Sequence, residues 1–284
     1  MKRLTWAAAL GITIGLAGTA LALQTLFTDF EGFKTGASID GQNGWGVSNP
    51  AFDQQIVNAG GNTVWRVSNA VTSGSFGNMP FAPRLGGIPA DPSNPTNSSP
   101  GAFAGEASTG TTLDRYRSTF SFRSATGTAQ PGARITVSAD NGQGGRQSFI
   151  AIRDTGTGIN VETVDVDKNG IFSGFIVIAS GLSYKTWHTT SVDIQFKDGE
   201  NNDRVKYYVD GKVVHTATSW EQYYRHFEAE LHPKGVPVQT LMFRISADPQ
   251  PQVLGGGYHI DNFGQSVGRS SDGDQNDNSH GHDD

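Results

Sequence analysis

The chain has 284 residues with 37 glycines and no cysteine, and only 17% of its residues are charged. Without cysteine there are no disulfides, no thiol chemistry and no zinc–thiolate sites, so the hydrophobic core alone must hold the fold. The formal net charge is −6, which does not fit nucleic-acid binding, because nucleic-acid-binding proteins normally carry a basic footprint. Abundant glycine with few charges is typical of a turn-rich β protein.

The first residues read as a secretion signal. Lys2 and Arg3 precede an apolar run over Trp6–Leu21, and the triplet at 20–22 (ALA) supplies a small-x-small pattern. These features predict a signal peptide over 1–22, cleaved after Ala22. An uncleaved anchor is the alternative, since the run is almost long enough to cross a bilayer. We expect a secreted protein, extracellular or periplasmic, with no membrane contact after cleavage.

The last fourteen positions, 271–284, differ in composition from the rest of the chain. They contain five aspartates, His280 and His282, but no apolar residue and no Lys or Arg. This composition predicts a disordered tail. Loss of Lys2 and Arg3 changes the net charge from −6 to −8, and leaving out the five tail aspartates gives −3. No repeat or boundary divides 23–270, so we expect one domain there.

Short alternating runs separated by turn residues recur along 23–270. Val192, Ile194 and Phe196, for example, alternate with polar residues, which is the period-2 pattern of a half-buried strand. The predicted strands are Thr63–Ser68, Tyr116–Arg123, Arg134–Ser138, Gln147–Arg153, Ile171–Ile178, Trp187–Phe196, Arg204–Asp210, Lys212–Thr216, Gln239–Ser246 and Tyr258–Phe263. Asp210-Gly211 between two of them predicts a tight hairpin.

One helix is predicted after Ser219, which is a suitable cap. Trp220, Tyr223, Tyr224 and Phe227 share one face at helical spacing. We interpret this aromatic stripe as packing on the sheets, and a sugar-stacking platform is the alternative. The Pro-, Gly- and Ser-rich segment 84–101 predicts a long loop, and the glycines at 255–257 predict a flexible turn before the last strand.

Many short antiparallel strands with one helix and no βαβ alternation predict an all-β fold. We expect a two-sheet antiparallel jelly-roll sandwich with roughly a dozen or more strands.

Three segments resemble the concanavalin A-like lectin/glucanase superfamily of laminin-G-type jelly rolls. Val205–His215 (VKYYVDGKVVH) is similar to a hairpin of that superfamily, and Tyr258–Phe263 (YHIDNF) to its last strand. Asp29–Gly32 (DFEG) with Gly41–Trp45 (GQNGW) is similar to the opening of many exported bacterial members. The resemblance covers most of 23–270 and implies a jelly roll with a glycan-related role, either as a binding module or as a carbohydrate-active enzyme. A fold by itself does not identify an activity.

Hydrolysis by paired carboxylates is not supported. Glucanases of the resembled superfamily carry an E-x-D-x-x-E string, and none occurs here. Jelly-roll lyases of acidic glycans use Arg or Gln to neutralise the uronate, with His and Tyr as base and acid. The chain offers His188, Tyr207, Tyr208 and His215 for that role, without those families' strand signatures. We therefore expect a binding or surface- and matrix-associated module without catalysis, and a lyase of a uronate-containing glycan is the alternative.

A basic pattern is the main candidate for a site. Polar positions opposite the apolar faces of the predicted strands hold Arg123, Arg134, Gln147, Arg153 and Arg244. If those strands share a sheet, we expect its outer face to bind the carboxylates of a polysaccharide or cell-surface glycan, because Arg forms two parallel hydrogen bonds to a carboxylate. Ordinary solvent-facing residues that pair with nearby acids are the alternative.

Two acids are candidates for a structural Ca²⁺ site. In many jelly-roll modules an acid in the first strand and one in the last strand meet and hold the ion, and Glu31 and Asp261 occupy such positions. Without a cation, two carboxylates brought together would repel each other and raise one pKa. The alternative is that both side chains face water or accept backbone hydrogen bonds.

Overall fold

Alternating apolar and polar residues produce fifteen strands in the part of the chain that the computed structural model describes, residues 22–72, 78–85, 103–111, 113–246 and 248–270. In chain order they are β1 (Ala22–Thr28), β2 (Gly46–Val47), β3 (Gln54–Asn58), β4 (Thr63–Val67), β5 (Pro80–Phe81), β6 (Arg115–Ser124), β7 (Arg134–Asp140), β8 (Ile150–Asp154), β9 (Ile159–Thr163), β10 (Ile176–Leu182), β11 (His188–Gln195), β12 (Arg204–Val209), β13 (Lys212–Ala217), β14 (Thr240–Ile245) and β15 (Tyr258–Gly268). The predicted signal peptide up to residue 21, most of the 84–101 loop and the 271–284 tail lie outside the described residues.

The strands form two antiparallel sheets, which confirms the predicted two-sheet sandwich. The first sheet has the order β13-β12-β11-β6-β15-β4-β3, with β1 paired to the later part of β15. The second has the order β10-β9-β8-β7-β14-β5-β2. The first and last strands are therefore neighbours in the first sheet.

The core lies between the inner faces of the two sheets. Trp45, Trp65, Phe243 and Phe263 are at most 1% exposed, and the ring centroid of Trp45 lies 5.3–5.9 Å from those of the other three. Burial of one large apolar side chain contributes roughly 1.5–3 kcal/mol, so such a cluster can hold the sandwich without disulfides.

One α-helix, α1 (Glu221–Phe227), is found among the described residues, and it begins one residue later than its predicted cap implies. Trp220 occupies the N-cap position, and Ser219 instead accepts a hydrogen bond from the Glu221 backbone N–H. Trp220 and Tyr224 are buried, as the aromatic stripe predicted, whereas Phe227 is 57% exposed. No helix among the described residues is long and apolar enough to cross a membrane.

Two turns can be compared with their predictions. Asp210 and Gly211 both have positive φ, 49° and 78°, and join β12 to β13 as the predicted hairpin. Gly257, expected in a flexible turn, is instead tightly packed. A Cβ added there would lie 2.1 Å from the Val67 carbonyl oxygen, so the flexible-turn interpretation is wrong at this position.

Candidate functional site

The outer face of the second sheet carries three arginines on three neighbouring strands. Ile135, Ile152 and Ile245 point into the core, so the residues before or after them face outward. Arg134 on β7 lies directly opposite Arg153 on β8. Arg244 on β14 pairs with Thr136, two residues along from Arg134. We call the surface formed by Arg134, Arg153 and Arg244 the arginine face.

The positive charges of this face repel one another. Arg134 is half-buried, and burial lowers its pKa, with a further lowering by the charge of Arg153. Burial likewise lowers the pKa of Arg244, and the charges of Arg146 and Arg134 add to the effect. Arginine stays protonated at any physiological pH. An anion bound on this surface would offset the repulsion between these charges.

One carboxylate partly neutralises the face. Glu162 on β9 is 2% exposed, and its Oε1 lies 3.0 Å from Nε of Arg153. Glu162 also attracts Arg134, yet Oε2 of Glu162 and Nε of Arg134 have no hydrogen-bond partner. The carboxylate is thus shared between arginines and leaves part of their hydrogen-bonding capacity unused.

A second acid closes one end of the face. Asp140, the last residue of β7, is fully buried, and burial raises its pKa to about 7. Its Oδ1 accepts hydrogen bonds from the Gly142 and Gly144 backbone N–H groups at 2.6 and 3.0 Å. Its Oδ2 has no partner. At neutral pH about half of the Asp140 carboxyl groups are therefore protonated, so Asp140 cancels less of the positive charge than a fully ionised carboxylate would.

Aromatic rings stand beside the arginines. The guanidinium carbon of Arg134 lies 4.0 Å above the ring of Phe175, and that of Arg146 lies 5.6 Å from the ring of Trp220. Phe149 is 5.9 Å from Phe175 and stacks on Trp220 at 6.0 Å.

Phe172 and Tyr223 extend this row of rings. The ring centroid of Phe172 lies 4.6 Å from that of Trp220 and 4.8 Å from that of Tyr223. We call the row formed by Phe175, Phe149, Trp220, Phe172 and Tyr223 the aromatic wall.

Buried polar atoms without partners concentrate around this surface. Nine such atoms are found among the described residues. Five of them belong to Arg84, Arg134, Asp140, Gln147 and Glu162. Buried polar groups are normally hydrogen-bonded, and exceptions call for an explanation. A polar ligand or ordered water on the arginine face would supply the missing partners.

The structure brings together four of the five predicted glycan-binding residues and separates the fifth. Arg134, Arg153 and Arg244 share the arginine face. Gln147, just before β8, is buried at its edge, where its Nε2 donates to the Val236 carbonyl. Arg123 lies on β6 in the first sheet. The condition that all these strands share a sheet is therefore wrong for Arg123, because β6 pairs with β11 and β15.

The residues considered for lyase chemistry lie on strands of the first sheet. His188 contacts Asp210 at 2.8 Å through Nδ1, and His215 contacts Asp165 at 2.8 Å through Nε2. Tyr207 is 1% exposed, and burial raises its pKa to about 12. Tyr208 is on the same strand as Tyr207. These residues and the arginine face therefore belong to different sheets.

The predicted calcium residues approach each other, but Glu31 lies in the turn after β1 and not in the first strand as predicted. Asp261 is 3% exposed. Burial raises its pKa to about 6, and the charges of Glu31 and Asp29 raise it further. Asp261 accepts hydrogen bonds from Asn62 Nδ2 at 2.6 Å and from its neighbour's N–H, while Glu31 accepts one from the Thr63 N–H at 2.9 Å. No group of three or more His, Asp or Glu side chains in the described part of the chain is placed to hold a metal ion.

Sequence reasoning missed three components of the site: Arg146, Glu162 and Phe175. Glu162 had a usable signal in the sequence, because Ile159 and Val161 alternate with Asn160 and Glu162 as in a half-buried strand. Arg146 and Phe175 join the site through contacts with residues far away in sequence, which alternation along one strand does not reveal.

No family profile and no curated protein matches the sequence. Solved structures do match the fold. An alginate lyase variant in complex with an alginate tetrasaccharide has a TM-score of 0.52 at 13% identity, over 87% of this chain and 98% of the lyase. An engineered family 43 glycoside hydrolase with endo-xylanase and exo-arabinofuranosidase activity gives 0.46 at 14% identity, over 86% of this chain and 41% of the hydrolase. An endo-β-1,4-glucuronan lyase from the fungus Trichoderma reesei gives 0.40 at 14% identity, over 89% of this chain and 99% of the lyase.

Proposed function

We propose that the protein is a secreted glycan-binding module that holds an acidic, uronate-containing polysaccharide on its arginine face without cleaving it. The observation that carries the proposal is the row Arg244–Arg134–Arg153 on three adjacent strands, whose charges repel one another and in which Nε of Arg134 has no hydrogen-bond partner. A carboxylate there gains charge-assisted hydrogen bonds and relieves the repulsion.

The aromatic wall supplies the second element of sugar recognition. Sugar rings present apolar C–H faces that pack on aromatic side chains, and ligand sites combine such surfaces with a few placed polar groups. Phe175 is 52% exposed and Phe172 is 39% exposed, so both offer ring surface to a ligand. A chain lying along the arginine face would contact the wall with its rings and the arginines with its carboxylates.

Lyase activity is the alternative, and the placement of residues favours binding. A lyase needs its base and acid within hydrogen-bonding reach of the uronate that the arginines neutralise. His188 is paired with Asp210, His215 is paired with Asp165 and Tyr207 is buried, and all three lie on strands of the first sheet, whereas the arginines lie on the second. The alternative remains an outcome of the test below.

Two smaller proposals accompany the main one. Export through the predicted signal peptide would bring the module to extracellular or periplasmic glycans, as a surface- or matrix-associated protein.

A structural Ca²⁺ between Glu31 and Asp261 would relieve the repulsion between these two carboxylates, which together with burial raises the pKa of Asp261. Because Ca²⁺ takes six to eight oxygen ligands, backbone carbonyls and water would have to complete the site.

The main proposal is tested by calorimetric titration of the protein with alginate and polygalacturonate tetrasaccharides. Arg134→Gln and Arg244→Gln should each weaken binding about 10- to 100-fold, since a hydrogen bond to a charged group is worth about 1.5–3 kcal/mol. Lys212→Gln, in the exposed β12–β13 hairpin, is the matched control and should bind like wild type. Added salt should weaken binding by wild type more than binding by Arg134→Gln.

Two results would contradict the proposal. One is unchanged affinity in both arginine variants. The other is a rise in ultraviolet absorbance from unsaturated product when the protein is incubated with either polymer, which would establish a lyase.

A further inference from the structure

A second charged surface lies on the outer face of the first sheet, on the opposite side of the sandwich. His259 on β15 lies directly between Arg123 on β6 and Arg66 on β4 in the cross-strand register. Trp187 stands at the Arg123 end, with the guanidinium carbon 4.6 Å above its ring. We call Trp187, Arg123, His259 and Arg66 the back row.

His259 is the unusual member of this row. Its side chain is buried, with the residue only 8% exposed, and its Nδ1 has no hydrogen-bond partner. A buried polar atom without a hydrogen-bond partner destabilises the fold, and a partner supplied by a ligand would remove that cost.

The positive charge of the row comes from Arg123. Arg66 is neutralised by Asp53 through two contacts at 2.9 and 2.7 Å. No ion pair joins Arg123 to a carboxylate of the described residues, and its guanidinium group stacks on the ring of Trp187. Asp261, two residues from His259, already accepts hydrogen bonds from Asn62 and Asn262. The row thus presents one uncompensated, half-exposed guanidinium beside an unsatisfied imidazole.

We propose that the back row is a second binding site for acidic polysaccharide, which makes the protein bivalent. A carboxylate of the sugar chain pairs with Arg123, and a sugar hydroxyl satisfies His259 Nδ1, which is buried in the free protein, so the imidazole turns toward the surface on binding. A hydroxyl both donates and accepts, so it suits either tautomer of the imidazole. The choice of ligand class rests on the proposed function, but the site itself does not, because it shares no residue with the arginine face.

The position of the two sites has a consequence for what the protein does. Two packed sheets stand about 10 Å apart, and the sites face away from each other. One short oligosaccharide therefore cannot reach both. Long polysaccharide chains can be cross-linked, because each protein molecule can hold two of them. Several protein molecules bound along the same two chains would strengthen the attachment by avidity.

Stoichiometry separates the two sites. Native mass spectrometry and calorimetry with alginate tetrasaccharide should give two bound molecules for wild type and one each for Arg123→Gln and for the double variant Arg134→Gln/Arg244→Gln. Combining all three changes should abolish binding. Light scattering with high-mass alginate should show networks for wild type only. Neutral cellotetraose should not bind; equal binding of it would overturn ionic recognition.

Each failure is distinguishable. One site in wild type that persists in Arg123→Gln and is lost in the double variant would overturn the back-row proposal and leave the proposed function standing. If wild type has one site that is lost in Arg123→Gln and kept in the double variant, the back-row proposal would stand and the proposed function of the arginine face would be overturned.

His259→Phe gives a readout that a merely structural role would not give. The substitution keeps a ring and removes the unsatisfied atom, so the melting temperature should stay the same or rise while back-row binding falls at least tenfold. A lowered melting temperature with unchanged stoichiometry would show that His259 is structural and would overturn its role in binding.

Discussion

Alanine at Gly257 should destabilise the protein far more than alanine at Gly255. Both glycines have positive φ, 79° and 73°, which is unfavourable by about 1–2 kcal/mol for an L-residue. A Cβ at Gly255 meets no atom within 4 Å, whereas one at Gly257 would lie 2.1 Å from the Val67 carbonyl oxygen. Only the second change forces the backbone to move.

That movement would break a defined set of hydrogen bonds. The Gly257 N–H donates to Gln130 Oε1 at 2.7 Å, and its carbonyl accepts from Gln130 Nε2 and from the Ala125 N–H, each at 2.9 Å. Three bonds at about 1 kcal/mol each, added to the φ term, give roughly 4–5 kcal/mol. For a chain of this size about 1 kcal/mol lowers the melting temperature by 2–4 °C. We therefore expect a fall of roughly 8–20 °C for Gly257→Ala and about 2–8 °C for Gly255→Ala.

Differential scanning calorimetry of the two variants measures the difference directly. Equal shifts would refute the reasoning, because they would show that β15 does not begin in close contact with the end of β4.

Three further predictions concern charge and catalysis. Burial raises the pKa of Glu221 from 4.5 to about 8, so between these values the folded state holds a proton that the unfolded chain has released; the urea midpoint should therefore decrease as the pH rises from about 4.5 to about 8, and Glu221→Gln should flatten that slope. If Ca²⁺ binds the folded state, millimolar Ca²⁺ should raise the melting temperature and chelator should lower it, with no difference left in Asp261→Ala; identical curves for wild type with and without chelator would end that idea. No unsaturated product should form from alginate or pectate, and a signal abolished by His188→Ala would instead assign this histidine to a lyase.

The strands with strict alternation could be predicted well from the sequence. β11 and β12 follow the period-2 pattern closely, and the hairpin after β12 lies where Asp210-Gly211 placed it. The strand predicted at Ile171–Ile178 is wrong in its first half, since β10 begins at Ile176. Phe172 and Phe175 instead pack against other aromatic rings and remain partly exposed. An apolar run in the sequence does not show whether its residues form a strand or pack on other aromatic rings at the surface.

The site could be predicted only in part, for a geometric reason. Alternation shows that Arg123 and Arg134 point away from the core, but a sandwich has two outer faces. Which face a residue joins depends on strand pairing between distant segments, as in the pairing of β6 with β15. For the same reason the sequence did not predict the contacts of Arg134 with Phe175 and of Arg146 with Trp220, which join segments that are distant in sequence.

The structure of the protein in complex with a uronate tetrasaccharide tests the central claim most directly. We predict sugar carboxylate oxygens within hydrogen-bonding distance of the Arg134 and Arg244 guanidinium groups, with a sugar ring packed on Phe175. An oligosaccharide bound elsewhere, with the arginine face bare at saturating ligand, would contradict the account.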